Sequence, residues 1–316
     1  MNNIKELENK VIRLFEHKGI PAFIYNSVIK EIVKYVSANI YKHSNSTIII
    51  PKEICDKLEI FDDIEIKVNV YNLYDSERNT GSGTSTINSN IKLNSENKIT
   101  NCKIKINSYS YNGILYTRTL TNSLYHELTH YYDLYKRLLN GQDSEFYTLK
   151  SITNYHYNTL KFSSKEQNTY IHNIFYRLFN KSEYKALIAS VYPDLLEYGT
   201  VKSNWKNDML KVQAYAIYQY IKNNISIIYE LTDDDWQMLY EFCNIETNNS
   251  YGEFYIRSRN SLSSFKNNFI KKLKRKLSSL FKDIMHAAST YYENETLEKE
   301  DKEIKKMYEQ MQGFWI

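Results

Sequence analysis

An α+β fold follows from three observations on the sequence. Short alternating strands are confined to residues 47–106, nearly every segment after Thr119 has helical periodicity, and turn-forming residues are scarce. The chain has 8 Gly and 3 Pro among 316 residues, against 30 Tyr, which favours long helices with few tight turns. Hydrophobic content of 42% and charged content of 25% are those of an ordinary globular protein with a substantial core. The expected architecture is a small mixed β-sheet preceding a long helix and a mostly helical C-terminal half. It divides into an N-terminal helical segment (1–45), a β-rich subdomain (46–118), a helical subdomain (119–245) and a C-terminal amphipathic helical extension (246–316).

The elements are justified in chain order. Ile4, Leu7, Val11 and Leu14 recur at helical spacing until Gly19-Ile20-Pro21 ends the run. Val28, Ile29, Ile32, Val33 and Val36 make a second amphipathic stripe. Thr47–Ile50 is a short apolar strand, with Pro51 at a helix start. Ile64, Ile66, Val68 and Val70 alternate with polar residues, as in a strand with one buried face. The stretch from Asn79 to Ser85 reads as a flexible connection, and two further alternating runs follow at 84–93 and 98–106. A loop containing Asn112-Gly113 then leads to a helix with Thr119 or Thr121 as N-cap and Asn140-Gly141 as its stop. Later helices are expected at 165–179, 182–191, 208–223 and 233–242, and in a long segment carrying Phe265, Phe269, Leu273 and Leu277.

The helix after Thr119 holds the most informative residues, His126-Glu127-Leu128-Thr129-His130. Histidines at i and i+4 lie one turn apart on one helix face, so two imidazoles can reach one metal ion. The glutamate between them can act on a water beside that ion. Leu124, Leu128, Tyr131, Tyr135 and Leu138 form an apolar stripe, while His126, His130 and Asp133 form a second one roughly opposite. Such a helix needs two buried faces, one against a core and one around a polar site.

A mixed sheet, an H-E-x-x-H helix and a helical second half together resemble the zincin metallopeptidases, over residues 45–200. The longer metzincin pattern is absent, because Asp133 stands at its glycine position and Lys136 where its third histidine would be. The resemblance is therefore to gluzincins, which take a glutamate from a later helix. It implies His126, His130 and Glu183 as Zn2+ ligands, Glu127 as general base, and a peptide or protein substrate cut through a zinc-activated water. Glu183 opens a helix with Ser182 as cap and Ala186 one turn on. His172 is the rival third ligand, and Glu197 is weaker. Asp133, one turn beyond His130, is placed to orient a histidine. The resemblance also implies that the strand at Lys103–Ile106 is an edge that holds extended substrate.

Other signals are weaker. A net charge of +4 is too small to imply a nucleic-acid partner, and no apolar run reaches the length of a membrane span. The residues Ile48–Leu58 faintly resemble DNA-binding swapped-hairpin regulators, which a strand entering a Pro-started helix explains as well. Three dispersed cysteines and the lack of a signal peptide fit a cytoplasmic place of synthesis. Lys271–Lys276 reads as the solvated face of a helix. Phe314-Trp315-Ile316 suggests docking on this chain or on a neighbour. The alternative reading is accordingly a zincin-like structural or interaction subunit of a larger assembly, such as a phage particle, with little or no catalysis.

Overall fold

The computed structural model describes residues 22–42, 44–72, 83–86, 91–141, 171, 184–186, 189, 228–248 and 261–291, and everything below concerns these. They show an α+β protein in two compact units. One unit contains the described residues up to 141 together with Lys185, Ala186 and Ala189; the other contains Ile171, Tyr184 and residues from 228 onward. The expected first helix and the apolar C-terminal residues Phe314–Ile316 lie outside the described residues.

The first unit opens with α1 (Ala22–Asn39), which buries Val28, Ile29, Ile32 and Val36 at the spacing of one helix face. Strand β1 (Ser46–Ile49) follows, and Pro51 then caps the single turn α2 (Lys52–Cys55). The remaining strands are β2 (Ile64–Asn72), β3 (Gly83–Thr86), β4 (Cys102–Tyr111) and β5 (Ile114–Leu115), leading into α3 (Thr117–Leu139). The sheet order is β1-β2-β4-β3, with β5 paired to β4. Strands β2 and β4 run parallel with Ile66 opposite Ile104 and Val68 opposite Ile106, while β1–β2, β3–β4 and β4–β5 are antiparallel.

Alternation decides the two faces of this sheet. Ile48, Ile66, Val68, Val70, Ile104 and Ile106 are buried on one side, where α3 packs on β4. The other side is polar: Thr47 donates to Asn69 (3.1 Å), Asn69 donates to Asn107 (3.0 Å), and Tyr71 neighbours Tyr109.

Three expectations are corrected here. The strand at Lys103–Ile106 is not an edge, because β2 flanks it on one side and Gly83–Thr86 pairs with it on the other. Strand β3 takes up the start of the run expected at 84–93, with the β-branched Thr84 and Thr86 in an extended segment, and it overlaps the end of the connection expected at 79–85. Strand β4 also runs on to Tyr111, because Ser108 and Ser110 occupy buried positions where apolar residues would have signalled a strand. Asn112 (φ 51) and Gly113 (φ 74) are then a two-residue hairpin turn with both residues left-handed, the conformation that an Asn-Gly pair favours. Finally, α3 starts at Thr117 rather than after Thr119 or Thr121. The Tyr116 amide is bound to the Tyr109 carbonyl (2.9 Å), so the chain turns directly from β5 into the helix. The Thr121 hydroxyl is used inside the helix, donating to the Thr117 carbonyl (2.8 Å). The stop at Asn140-Gly141 is as expected: Gly141 is left-handed (φ 69) and its amide binds the Leu138 carbonyl.

In the second unit, α4 (Asp233–Asn248) and α5 (Leu262–Tyr291) pack together. Thr232 and Asp235 close a reciprocal cap at the start of α4: the Asp235 amide donates to the Thr232 hydroxyl, and the Thr232 amide to the Asp235 carboxylate. Trp236, Tyr240, Phe265 and Phe269 form an aromatic cluster between the two helices, edge to face except for the tilted Phe265–Phe269 pair. Lys271 and Arg275 lie exposed on α5, while Lys276 sits over the Tyr184 ring at 4.8 Å. Among the described residues, no helix is long and apolar enough to cross a membrane.

Candidate metal centre

Helix α3 is buried on two sides. Leu120, Leu124, Leu128, Tyr131 and Leu134 are fully buried, and each apolar side chain of this kind stabilises the packed state by roughly 1.5–3 kcal/mol. Tyr131 adds a directional tie. Its hydroxyl donates to the Lys103 carbonyl of β4 at 2.9 Å, and its ring meets Phe61 edge-on. These contacts fix the rotation of α3 over the sheet, and thereby the direction of its other face.

That other face carries His126, His130 and Asp133. His130 is 2% exposed and His126 half-buried. Their Nε2 atoms are 3.2 Å apart, with the rings edge to face at 82°. As a hydrogen bond, this contact requires one ring to donate Nε2–H to the other's lone pair, the roles being set by the tautomers. The same separation suits a shared ion. Two nitrogens each about 2.05 Å from zinc and 3.2 Å from each other subtend about 100°, near the tetrahedral angle.

Glu127 lies between them in sequence and is 4% exposed. A buried carboxylate needs a donor, a water or a cation. The donor set therefore fits zinc for two ligands and an adjacent base.

Asp133, 8% exposed, is held by cations: Lys185 Nζ at 2.6 Å from Oδ1, and Arg137 Nε at 4.0 Å from Oδ2. Lys185 lies in a helical stretch, and Ala186 and Ala189 beyond it are fully buried. The sequence offers no local signal for this pair, whose members are 52 residues apart. Both rival third ligands, Glu183 and His172, lie outside the described residues, as does Glu197. Among the described residues, no three His, Cys, Asp or Glu side chains are grouped as a metal site.

Comparison with known proteins adds no relative: no family model, curated protein or solved structure matches the chain.

Proposed function

We propose that the protein is a zinc-dependent metallopeptidase of zincin type, closest in ligand pattern to the gluzincins. The observation that carries this reading is the His126–His130 pair, with Nε2 atoms 3.2 Å apart on a doubly buried helix beside the buried carboxylate of Glu127. A bound zinc ion supplies Lewis acidity, which polarises a scissile carbonyl and makes a water acidic enough to attack near neutral pH. His126 and His130 would hold the ion, with Glu183 assigned from the sequence as the third ligand. Glu127 takes the proton of the attacking water and delivers it to the leaving amine. Extended substrate pairs with β3, the strand beside α3 whose second edge meets no strand among the described residues.

The test is metal analysis and peptide cleavage of the native protein and of Glu127→Gln. The expected result is close to one zinc per chain in both, with cleavage reduced at least about 100-fold in the variant. A native protein that takes up no zinc would sink the proposal.

The second reading, a zincin-like assembly subunit, draws on exposed Tyr111, Ile114 and Tyr116 around the β4–β5 hairpin, apolar side chains suited to a neighbour. Zinc in both proteins with cleavage in neither would favour it.

A further inference from the structure

The side of the sheet turned away from α3 carries a pattern of its own. In the parallel register of β2 and β4, like residues stand opposite one another there: Lys67 beside Lys105, Asn69 beside Asn107, and Tyr71 beside Tyr109. Glu65 stands opposite Lys103 at one end of this ladder. Like charges directly opposite in a sheet are destabilising, and among the described residues Lys67, Lys103 and Lys105 make no ion pair. Lys103 and Lys105 are exposed and Lys67 is half-buried. The amides between the lysines and the tyrosines are directional. Thr47 donates to Asn69 Oδ1, and Asn69 Nδ2 donates to Asn107 Oδ1. Asn107 Nδ2 is thereby left as a donor with no acceptor among the described residues, on a half-buried side chain. The Tyr71 and Tyr109 rings are 6.3 Å apart, tilted by 43°, and both half-buried, so part of each ring reaches the surface. Over four residues of strand, about 13 Å, the face presents cations, then an amide donor, then aromatic rings.

We infer that this sheet face binds single-stranded nucleic acid, with Lys67 and Lys105 on phosphates, bases stacked on Tyr71 and Tyr109, and the Asn107 amide donating to a base edge. Stacking platforms flanked by cations are how proteins hold single strands with little regard to sequence. A polyanion is the partner that relieves the unpaired Lys67–Lys105 juxtaposition. An acidic peptide or a lipid surface would answer the lysines and leave the rings and the amide unused. The net charge of +4 measures the pull of the whole chain, whereas this face is decided by its local charges and rings. The binding is separate from the metallopeptidase chemistry, because α3 and its histidines lie across the sheet from it.

The test is fluorescence anisotropy of labelled oligothymidylate and oligouridylate, each about 15 nucleotides long, titrated with full-length protein at several salt concentrations. The native protein and Glu127→Gln are expected to bind alike, and the stronger of the two strands identifies DNA or RNA as the ligand. A duplex of the same length should bind more weakly, because paired bases offer no free face. Tyr109→Ala should weaken binding about 5–150-fold, the loss of one stacked base, with the salt dependence unchanged. Tyr109→Phe, which keeps a ring, should stay within about threefold of native. Replacing Lys67 and Lys105 together by Gln should flatten the slope of log affinity against log salt by about 1.4, or about 0.7 for each phosphate contact removed. Every variant is first checked for folding by circular dichroism, and Tyr71→Ala replaces Tyr109→Ala, with the same threshold, if the latter does not fold. No binding by the native protein, equal binding of the duplex, or an unchanged slope in the lysine variant overturns the inference. Native-like affinity in the ring-removed variant also overturns it, and marks the face as a general polyanion surface.

Discussion

Replacing Tyr131 by Phe removes one oxygen from the contact that sets the rotation of α3. At neutral pH the variant loses the bond to the Lys103 carbonyl, 2.9 Å long in a buried setting. The net loss is about 1–2 kcal/mol, the bond itself plus part of the cost of a carbonyl left short of a donor. The pH dependence is more diagnostic. Burial pushes the Tyr131 hydroxyl well above the usual tyrosine range, with the neighbouring Cys102 and Glu127 adding to the effect. An unfolded tyrosine ionises near pH 10, so above that pH the folded state binds more protons than the unfolded state. This contribution to stability is complete below pH 10 and is lost as pH rises toward the folded value, at about 1.4 kcal/mol per pH unit. The Phe variant has no such loss. Burial also pushes Cys55 up to about 11 and Cys102 higher still, but both thiols are common to the two proteins. Urea denaturation followed by circular dichroism should therefore show the native protein ahead by about 1–2 kcal/mol at pH 7, level with the variant near pH 11, and behind it beyond that. A difference that stays constant from about pH 8 to pH 11.5 would refute the assignment of Tyr131 as a buried, protonated tie between helix and sheet.

Two further substitutions probe the surroundings. Gly113→Ala places a Cβ 3.2 Å from the Lys42 Cα in a residue with φ 74, and should lower stability by about 1–3 kcal/mol in thermal unfolding. Thr232→Ala opens the reciprocal cap of α4 and should cost about 1 kcal/mol, with amide exchange accelerated first at the start of that helix.

Much of the first unit is legible in the sequence because its signals are local. The alternation of Ile64, Ile66, Val68 and Val70 gives β2, and the two stripes of α3 announce a helix buried on both sides. Asn140-Gly141 marks the helix end through a left-handed glycine. The misreadings share a cause: long-range pairing overrides composition. Ser108 and Ser110 are buried because they continue the inward-facing set of β4, opposite Val70 and Asn72 of β2, not because serine favours such places, and their hydroxyls meet no partner among the described residues. The linker read at 79–85 overlaps the strand read from residue 84, and the pairing of Gly83–Thr86 with Lys103–Ile106 decides for the strand. At the candidate centre, the i, i+4 histidines are visible as a pattern, and their 3.2 Å approach follows from helix geometry and side-chain orientation. Lys185 could not be found in this way, since a lysine beside a candidate glutamate resembles any solvated helix position until Asp133 is placed next to it.

The strand order has a consequence for synthesis. The strand that pairs with β2, β3 and β5 alike is β4, and β1, β2 and β3 all precede it in the chain. While the polypeptide is being made, β2 and β3 leave the ribosome with their inward edges unsatisfied, and only a β1–β2 hairpin can form. Two-stranded hairpins are marginal in water, and open apolar edges recruit other chains. Translation through Tyr111 supplies the missing partner, and α3 follows within a few residues to cover the apolar face. Pausing before β4 has emerged from the ribosome prolongs the vulnerable stage, whereas pausing once residue 141 has emerged leaves the sheet and its covering helix ready to close.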